Sequence, residues 1–155
     1  MVRIREGGLQ GEHHRIGIVV SKFNGEVTER LLKGALAVLK KHGVREEDIE
    51  ITKVPGAFEI PLMAKRLARS GTFHALICLG AVIRGETFHF ELISQAASQG
   101  LLQVMLETGV PISFGVLTTE TVRQAMHRAD PKRYDRGGDA ARTALEMAGL
   151  LKDLK

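Results

Sequence analysis

Short apolar runs alternate along this chain with longer segments of helical periodicity. The run Arg15-Ile-Gly-Ile-Val-Val-Ser21 is rich in branched side chains, which is typical of a strand buried on both faces. Over residues 26–42 the apolar positions recur at helical spacing, and Gly43 closes the pattern. Together these segments predict one β-α unit.

The same succession is predicted three more times, followed by a last helix. The further elements are a strand near 49–54 and a helix to Arg69, a strand over 75–83 and a helix over 86–107, a strand over 111–117 and a helix from about Thr119, and a helix over about 138–151. This alternation predicts an α/β fold, a three-layer sandwich with a parallel sheet and right-handed crossovers. Residues 1–14 are predicted to form an amino-terminal arm and 15–155 a single domain.

The composition indicates a protein of a reducing environment. A chain of 155 residues with 44% hydrophobic side chains can bury a core that needs neither disulfide nor metal. The lone Cys78 lies in an apolar run and is expected to be a packed thiol, which fits a cytoplasmic protein.

Charge and hydropathy argue against two classes of partner. The amino terminus lacks the apolar stretch of a secretory signal, and no run approaches the ~20 residues of a membrane span, so a soluble protein is expected. The net charge of +4 is spread along the chain, with one local basic cluster at Lys132, Arg133 and Arg136. With 5% aromatic residues there is no obvious stacking platform, so nucleic acid is not favoured as a partner.

Candidate chemistry follows the predicted strands, because parallel sheets bind ligands beyond the carboxyl ends of their strands. We expect four segments to share one rim: residues 21–24, 54–59, 81–89 and 114–119.

The first segment carries Phe23 and Asn24, and each has two possible roles. Phe23 either offers an aromatic face for stacking on a planar ring or plugs the end of the sheet. Asn24 either donates to a ligand or caps the following helix.

The second segment is Pro55-Gly-Ala-Phe-Glu-Ile-Pro61. Pro61 fits only the first turn of a helix, so the helix is expected to begin near Phe58. Gly56 would let backbone amides approach a ligand closely. Glu59 either binds hydroxyl groups or serves as a helix cap.

The third segment joins a buried strand to a helix at Arg84-Gly-Glu-Thr87. Free amides at Gly85, Glu86 and Thr87, together with the Thr87 hydroxyl, could receive a phosphate. His89 is expected one turn inside the helix, where it is either structural or a proton-transfer catalyst.

A charged loop over residues 128–136 provides further cations. It is either a solvated connection or an anion site, since Arg128 and Lys132 both suit a phosphate. The other histidines, at 13, 14, 42, 74 and 127, show no metal-ligand spacing with acids or with the cysteine, so no metal is predicted.

Taken in order, these segments resemble lumazine synthases over nearly the whole chain. The matching stretches are Ile18-Val-Val-Ser-Lys-Phe-Asn24, Val54-Pro-Gly-Ala-Phe-Glu-Ile-Pro61, Leu79-Gly-Ala-Val-Ile-Arg-Gly-Glu-Thr-Phe-His-Phe-Glu91 and Phe114-Gly-Val-Leu-Thr-Thr-Glu120. Each stretch alone is weak evidence for this family, whereas four stretches in the same order, with a suitable basic loop, are highly specific to it.

The resemblance implies a flavodoxin-like sheet and an active site shared between neighbouring subunits of a pentamer. It assigns pyrimidine stacking to Phe23, recognition of the pyrimidine edges to the backbone of Ala57, Val82 and Ile83, the ribityl chain to Glu59, and proton transfer to His89. It assigns the phosphate to the 85–87 turn and Arg128. The substrate-binding set it implies is Phe23, Asn24, Gly56, Ala57, Phe58, Glu59, Val82, Ile83, Gly85, Glu86, Thr87, Phe114, Arg128 and Lys132, with the last three expected from the adjacent chain.

The implied reaction is a riboflavin-biosynthesis step without cofactor or metal. It condenses 5-amino-6-ribitylaminouracil with 3,4-dihydroxy-2-butanone 4-phosphate, giving 6,7-dimethyl-8-ribityllumazine, phosphate and water. The resemblance also suggests riboflavin synthase as a partner protein.

The loop after Arg128 departs from the family pattern. Asp130-Pro131 and Arg133-Tyr134-Asp135 replace a run of mostly small residues, so the loop's shape and assembly beyond the pentamer stay open. Some relatives close sixty-subunit shells and others stop at pentamers or decamers. An arm such as 1–14 could add a strand to a neighbour's sheet in either assembly.

Two other functions compete with this interpretation. A non-catalytic flavin carrier could use a similar pocket, but it would need neither His89 nor the phosphate-binding set. A signalling receiver domain would need a cluster of acids at the strand ends, which is missing here.

Overall fold

The computed structural model describes residues 1–154 and contains four strands and five α-helices in that range. The elements are β1 (Ile16–Ser21), α1 (Gly25–Lys41), β2 (Ile49–Val54), α2 (Ile60–Arg69), β3 (Ala75–Ile83), α3 (His89–Thr108), β4 (Ile112–Thr119), α4 (Val122–Ala129) and α5 (Arg136–Lys152). Short 3-10 turns precede β2 and α2, at Glu46–Asp48 and Ala57–Glu59.

All four strands are parallel, in the order β2-β1-β3-β4. The branched runs form these strands because both faces of the sheet are covered and each side chain finds an apolar partner. Ile16, Ile18 and Val20 face one core layer, whereas Val19 between them faces the other. The predicted three-layer sandwich is therefore confirmed, with the strand order of a flavodoxin-like sheet.

Helices α1, α4 and α5 cover one face, and α2 and α3 cover the other. In the first layer, the backbones of α1 and α5 approach each other closely at Gly137. A Cβ added at Gly137 would meet the carbonyl oxygen of Leu31, so only glycine permits this approach. Cys78 is fully buried in β3, as predicted.

Several predicted boundaries were wrong, and local hydrogen bonds explain two of the differences. Helix α4 begins at Val122 because Thr121 caps it, accepting the Gln124 N–H at 3.1 Å. Helix α5 begins at Arg136 because the Asp135 side chain accepts the Gly138 N–H at 3.2 Å. Strand β4 continues beyond Leu117 because it pairs with β3 up to Ile83 and Thr119.

Residues 1–14 form no helix or strand. Gly11 donates its N–H to the His42 carbonyl at 2.7 Å, and Leu9 packs against the core layer of α1 and α5. The arm therefore touches its own domain. No helix in residues 1–154 combines the length and the apolar character needed to cross a bilayer.

Candidate functional site

A cavity of about 640 Å³ lies at the carboxyl ends of β1, β2 and β3 and against the start of α3. Parallel register aligns these strand ends, so the segments that follow them meet there. The cavity is lined by Phe23, Asn24, Pro55, Gly56, Ala57, Phe58, Glu59, Ala81, Val82, Ile83, Gly85, Thr87, His89, Phe90 and Ile93. Three of the four predicted segments therefore contribute to it.

Phe23 stands at the cavity with 69% of its surface exposed. Its N–H donates to the Pro55 carbonyl at 3.0 Å, and the preceding Lys22 N–H donates to Val54 at 2.8 Å. These bonds hold the β1 end against the β2 end. A ring so exposed does not plug the sheet, and its face is available to a ligand.

Asn24 occupies the N-cap position of α1, but its side chain does not cap the helix, so that alternative was wrong. Its backbone is left-handed (φ 58°), and its side chain makes no capping hydrogen bond. Instead Nδ2 donates to the Ala81 carbonyl at 2.8 Å. The Asn24 side chain therefore joins the end of β1 to β3 at the cavity.

The second segment turns more tightly than predicted. Residues Ala57–Glu59 form a 3-10 turn, and α2 begins only at Ile60 with Pro61 in its first turn. The half-buried Glu59 lines the cavity and makes no side-chain cap, so the capping alternative was also wrong. Its carboxylate remains available to hydroxyl groups.

Helix α3 begins three residues later than predicted, at His89, so His89 is its first residue and does not lie one turn inside. The Thr87 hydroxyl accepts the His89 N–H at 3.4 Å, a local bond that competes with helix formation over 85–87. His89 is exposed and lines the cavity with Gly85 and Thr87, whereas Glu86 does not line it.

The backbone amides of Gly85, Glu86 and Thr87 have no hydrogen-bond acceptor within residues 1–154. They lie in an exposed turn between a buried strand and a helix amino terminus. Such amides attract an anion because the helix dipole adds partial positive charge.

Phe114, Arg128 and Lys132 do not line this cavity within one chain, and their expected contribution from the adjacent chain stays a prediction. The fourth segment ends level with β3, since Thr119 pairs with Ile83, but its residues do not line the cavity. Phe114 belongs to β4, where it pairs with Cys78 on the inner strand. It lines a second cleft of about 410 Å³ with Arg128 and Arg136. Lys132 is exposed and lines neither space.

Arg128 is held in place over this second cleft. Its guanidinium donates to the Gln124 carbonyl at 3.2 Å and lies 5.8 Å from the centre of the Tyr134 ring. The loop that departs from the family pattern thus supports Arg128 through Tyr134.

Sequence reasoning missed four lining residues: Pro55, Ala81, Phe90 and Ile93. Helical spacing carried a usable signal for one of them, since Ile93 lies four residues after His89 and hence on the same helix face.

The Cys78 thiol lies outside this chemistry. Burial raises the pKa of the Cys78 thiol, so it stays protonated inside β3. Among residues 1–154, no three His, Cys, Asp or Glu side chains come together in a way that could hold a metal ion.

A comparison with protein families agrees with the geometry. Residues 13–152 match the family model described as 6,7-dimethyl-8-ribityllumazine synthase. The match covers the whole sheet and the segments that line the cavity. The chain therefore belongs to the 6,7-dimethyl-8-ribityllumazine synthase family, the transferases that condense 5-amino-6-ribitylaminouracil with 3,4-dihydroxy-2-butanone 4-phosphate in riboflavin biosynthesis.

Proposed function

We propose that the cavity at the ends of β1–β3 binds both substrates of this condensation, with His89 as the proton-transfer residue. The observation that carries the proposal is that Phe23, Thr87 and His89 line one space. An aromatic face, an anion-binding turn and an imidazole are the groups that this pair of substrates requires.

The pyrimidine stacks on Phe23, and backbone groups at Ala57, Val82 and Ile83 bind its edges. These residues lie on three different strand ends and face the same volume. Gly56, Phe58 and Asn24 complete this wall, and the Glu59 carboxylate accepts hydroxyl hydrogen bonds from the ribityl chain. Main-chain recognition suits a planar heterocycle because strand-end donors and acceptors are fixed in position.

The sugar phosphate binds at the 85–87 turn. The three amides have no internal acceptor, and the Thr87 hydroxyl, which accepts the His89 N–H, keeps its own proton to donate to a dianion. His89, two residues after Thr87, then stands beside the carbon skeleton of the bound ketone.

In the proposed sequence the pyrimidine amine attacks the ketone and a first water leaves. The resulting imine eliminates phosphate, and the enol left behind becomes a ketone. The ribitylamino nitrogen attacks that carbonyl and closes the second ring with loss of a second water. His89 accepts and returns protons at these steps. Pairing the reactants in register can replace roughly 7 to 11 kcal/mol of entropic barrier, so positioning contributes more than proton transfer.

Arg128, Lys132 and Phe114 complete the site from the adjacent subunit. Within one chain Phe114 and Arg128 line the second cleft, away from the turn that needs a cation. A neighbour that places its second cleft over the cavity would supply the missing charge and cover the substrates. The reaction needs no cofactor.

The assembly we propose is a pentamer, with a sixty-subunit shell as its extension. Helix α3 is apolar on its outer side, where Leu92, Leu102 and Leu106 are 65%, 51% and 75% exposed. An apolar stripe of this kind indicates an interface. Strand β2 pairs only with β1 in residues 1–154, so its free edge can accept the arm of a neighbour. A cytoplasmic location and an enclosed riboflavin synthase are further parts of this proposal.

Replacing Phe23 by alanine is expected to raise KM for the pyrimidine about tenfold or more, because base–aromatic stacking contributes roughly 1–3 kcal/mol. Phe23→Tyr keeps the ring and should stay within about twofold of the parent protein. Lumazine fluorescence on mixing both substrates measures turnover. An unchanged pyrimidine KM in a folded Phe23→Ala protein would remove the stacking role.

Replacing Leu106 by aspartate is expected to reduce the assembly to smaller species, because a charge would be buried between α3 helices. Light scattering measures the size. Leu154→Asp is the matched control, since Leu154 is also exposed (53%) but lies beyond α5. Identical sizes for Leu106→Asp and the parent protein would exclude α3 from the interface.

A further inference from the structure

Arg84 lies directly after β3 and directly before the 85–87 turn. Its backbone N–H donates to the Thr119 carbonyl at 2.9 Å, so the last ladder bond between β3 and β4 fixes its position. The residue does not line the cavity. Its side chain nevertheless connects three elements around the turn.

The guanidinium bridges two carboxylates that are distant in sequence. One terminal nitrogen donates to Glu91 in the first turn of α3, and Nε lies 2.8 Å from Glu120 just beyond β4. The other carboxylate oxygen of Glu91 is buried and has no hydrogen-bond partner within residues 1–154. Its own backbone amide and then Arg84 hold the pKa of Glu91 below its usual value, so this carboxylate stays charged at neutral pH.

The same guanidinium lies 4.6 Å from the centre of the Phe90 ring, a cation–π contact. Phe90 lines the cavity beside His89. Arg84 therefore holds the first turn of α3 from two sides, through Glu91 and through Phe90.

We infer that Arg84 is a positioning residue for the condensation, fixing the 85–87 turn and His89 by tying the start of α3 to the end of β4. The inference rests on the proposed function of that turn. A mobile first turn would misplace both the phosphate donors and the imidazole, and an error of about 1 Å in such groups can cost ~10²-fold in rate.

Global stability is not what this cluster chiefly provides. Arg84 is 40% exposed and Glu120 is 62% exposed, and ion pairs that open to solvent add little to the free energy of unfolding. Arg45 offers a matched comparison, since it also contacts two carboxylates, Asp48 at 2.9 Å and Glu47 at 3.0 Å. It lies before β2, at the other end of the sheet from the cavity.

The test compares Arg84→Gln, Glu120→Ala and their double variant with Arg45→Gln in the full-length protein. We expect Arg84→Gln to raise KM for the butanone phosphate and the inhibition constant of inorganic phosphate about tenfold each, and to lower kcat about tenfold. The pyrimidine KM should stay within about twofold. Glu120→Ala should show the same pattern more weakly, the double variant should be no worse than Arg84→Gln, and Arg45→Gln should match the parent protein.

Two results would overturn the inference. One is an equal rise in both KM values, which indicates a general loss of structure. The other is unchanged kinetics in Arg84→Gln or, if that variant does not fold, in Glu120→Ala. Thr87→Ala and His89→Ala, measured in parallel, separate the two hypotheses: if they impair turnover while the Arg84 variants do not, only the positioning role fails.

Discussion

Replacing Arg128 by alanine is expected to lower kcat/KM for the butanone phosphate by about 10²- to 10³-fold. The proposed site has no other arginine on the phosphate, and removing one partner of a desolvated charge pair costs roughly 2–5 kcal/mol. Steady-state lumazine formation measures the effect. Arg133→Ala is the matched control, because Arg133 belongs to the same loop and is 57% exposed in its contact with Asp130.

Mixing subunits turns this prediction into a test of the shared site. Arg128→Ala and His89→Ala proteins should each be impaired, but assemblies re-formed from an equal mixture should regain activity. About one quarter of the sites would then pair an intact His89 with an intact Arg128 of the neighbour, if subunits mix at random. No recovery in verified mixed assemblies would mean that Arg128 does not act across a subunit boundary.

Replacing His89 by alanine is expected to lower kcat by about 10²-fold while leaving measurable turnover. Proton transfer by a positioned side chain is typically worth roughly 10²- to 10⁴-fold, and substrate alignment would survive the substitution. The measurement is kcat at saturating concentrations of both substrates. A folded variant without detectable product would contradict this division between positioning and proton transfer.

The control for this variant is His42→Ala. His42 ends α1 near the start of β2 and lies away from the cavity, so its loss should leave kcat unchanged. A similar fall in both variants would point to assembly or folding, and not to proton transfer.

The strands were predictable because burial on both faces leaves a direct mark on sequence. Runs such as 75–83 consist of apolar residues without alternation, and a parallel sheet covered by helices is the structure that accommodates them. Helix starts were less predictable. In the sequence Thr87 looks like an ordinary residue of the first turn of a helix. Only the hydrogen bond from the His89 amide to its hydroxyl shows why α3 begins later.

The functional site was likewise only partly predictable from the sequence. Segments that directly follow strands could be assigned to the rim, since topology alone brings the ends of parallel strands together. The pattern could not show that Phe114 lines a cleft separate from the cavity within one chain, because that placement depends on the packing of β4 against α4 and α5. Arg84 could not be given a role from the sequence, because its partner Glu120 belongs to a distant segment.

The sequence by itself determined the layered α/β fold, the order of its elements and the family, because hydrophobic periodicity and the four strand-end motifs are local properties of the chain. Only the tertiary structure decided that Asn24 joins β1 to β3, that His89 opens α3 and that Phe114 and Arg128 face a separate cleft. The Asn24 bond and the separate cleft depend on contacts between residues far apart along the chain, and such contacts exist only once the sheet has set their distances. The start of α3 depends instead on the local bond from the His89 N–H to the Thr87 hydroxyl, a geometry that residue types alone do not specify.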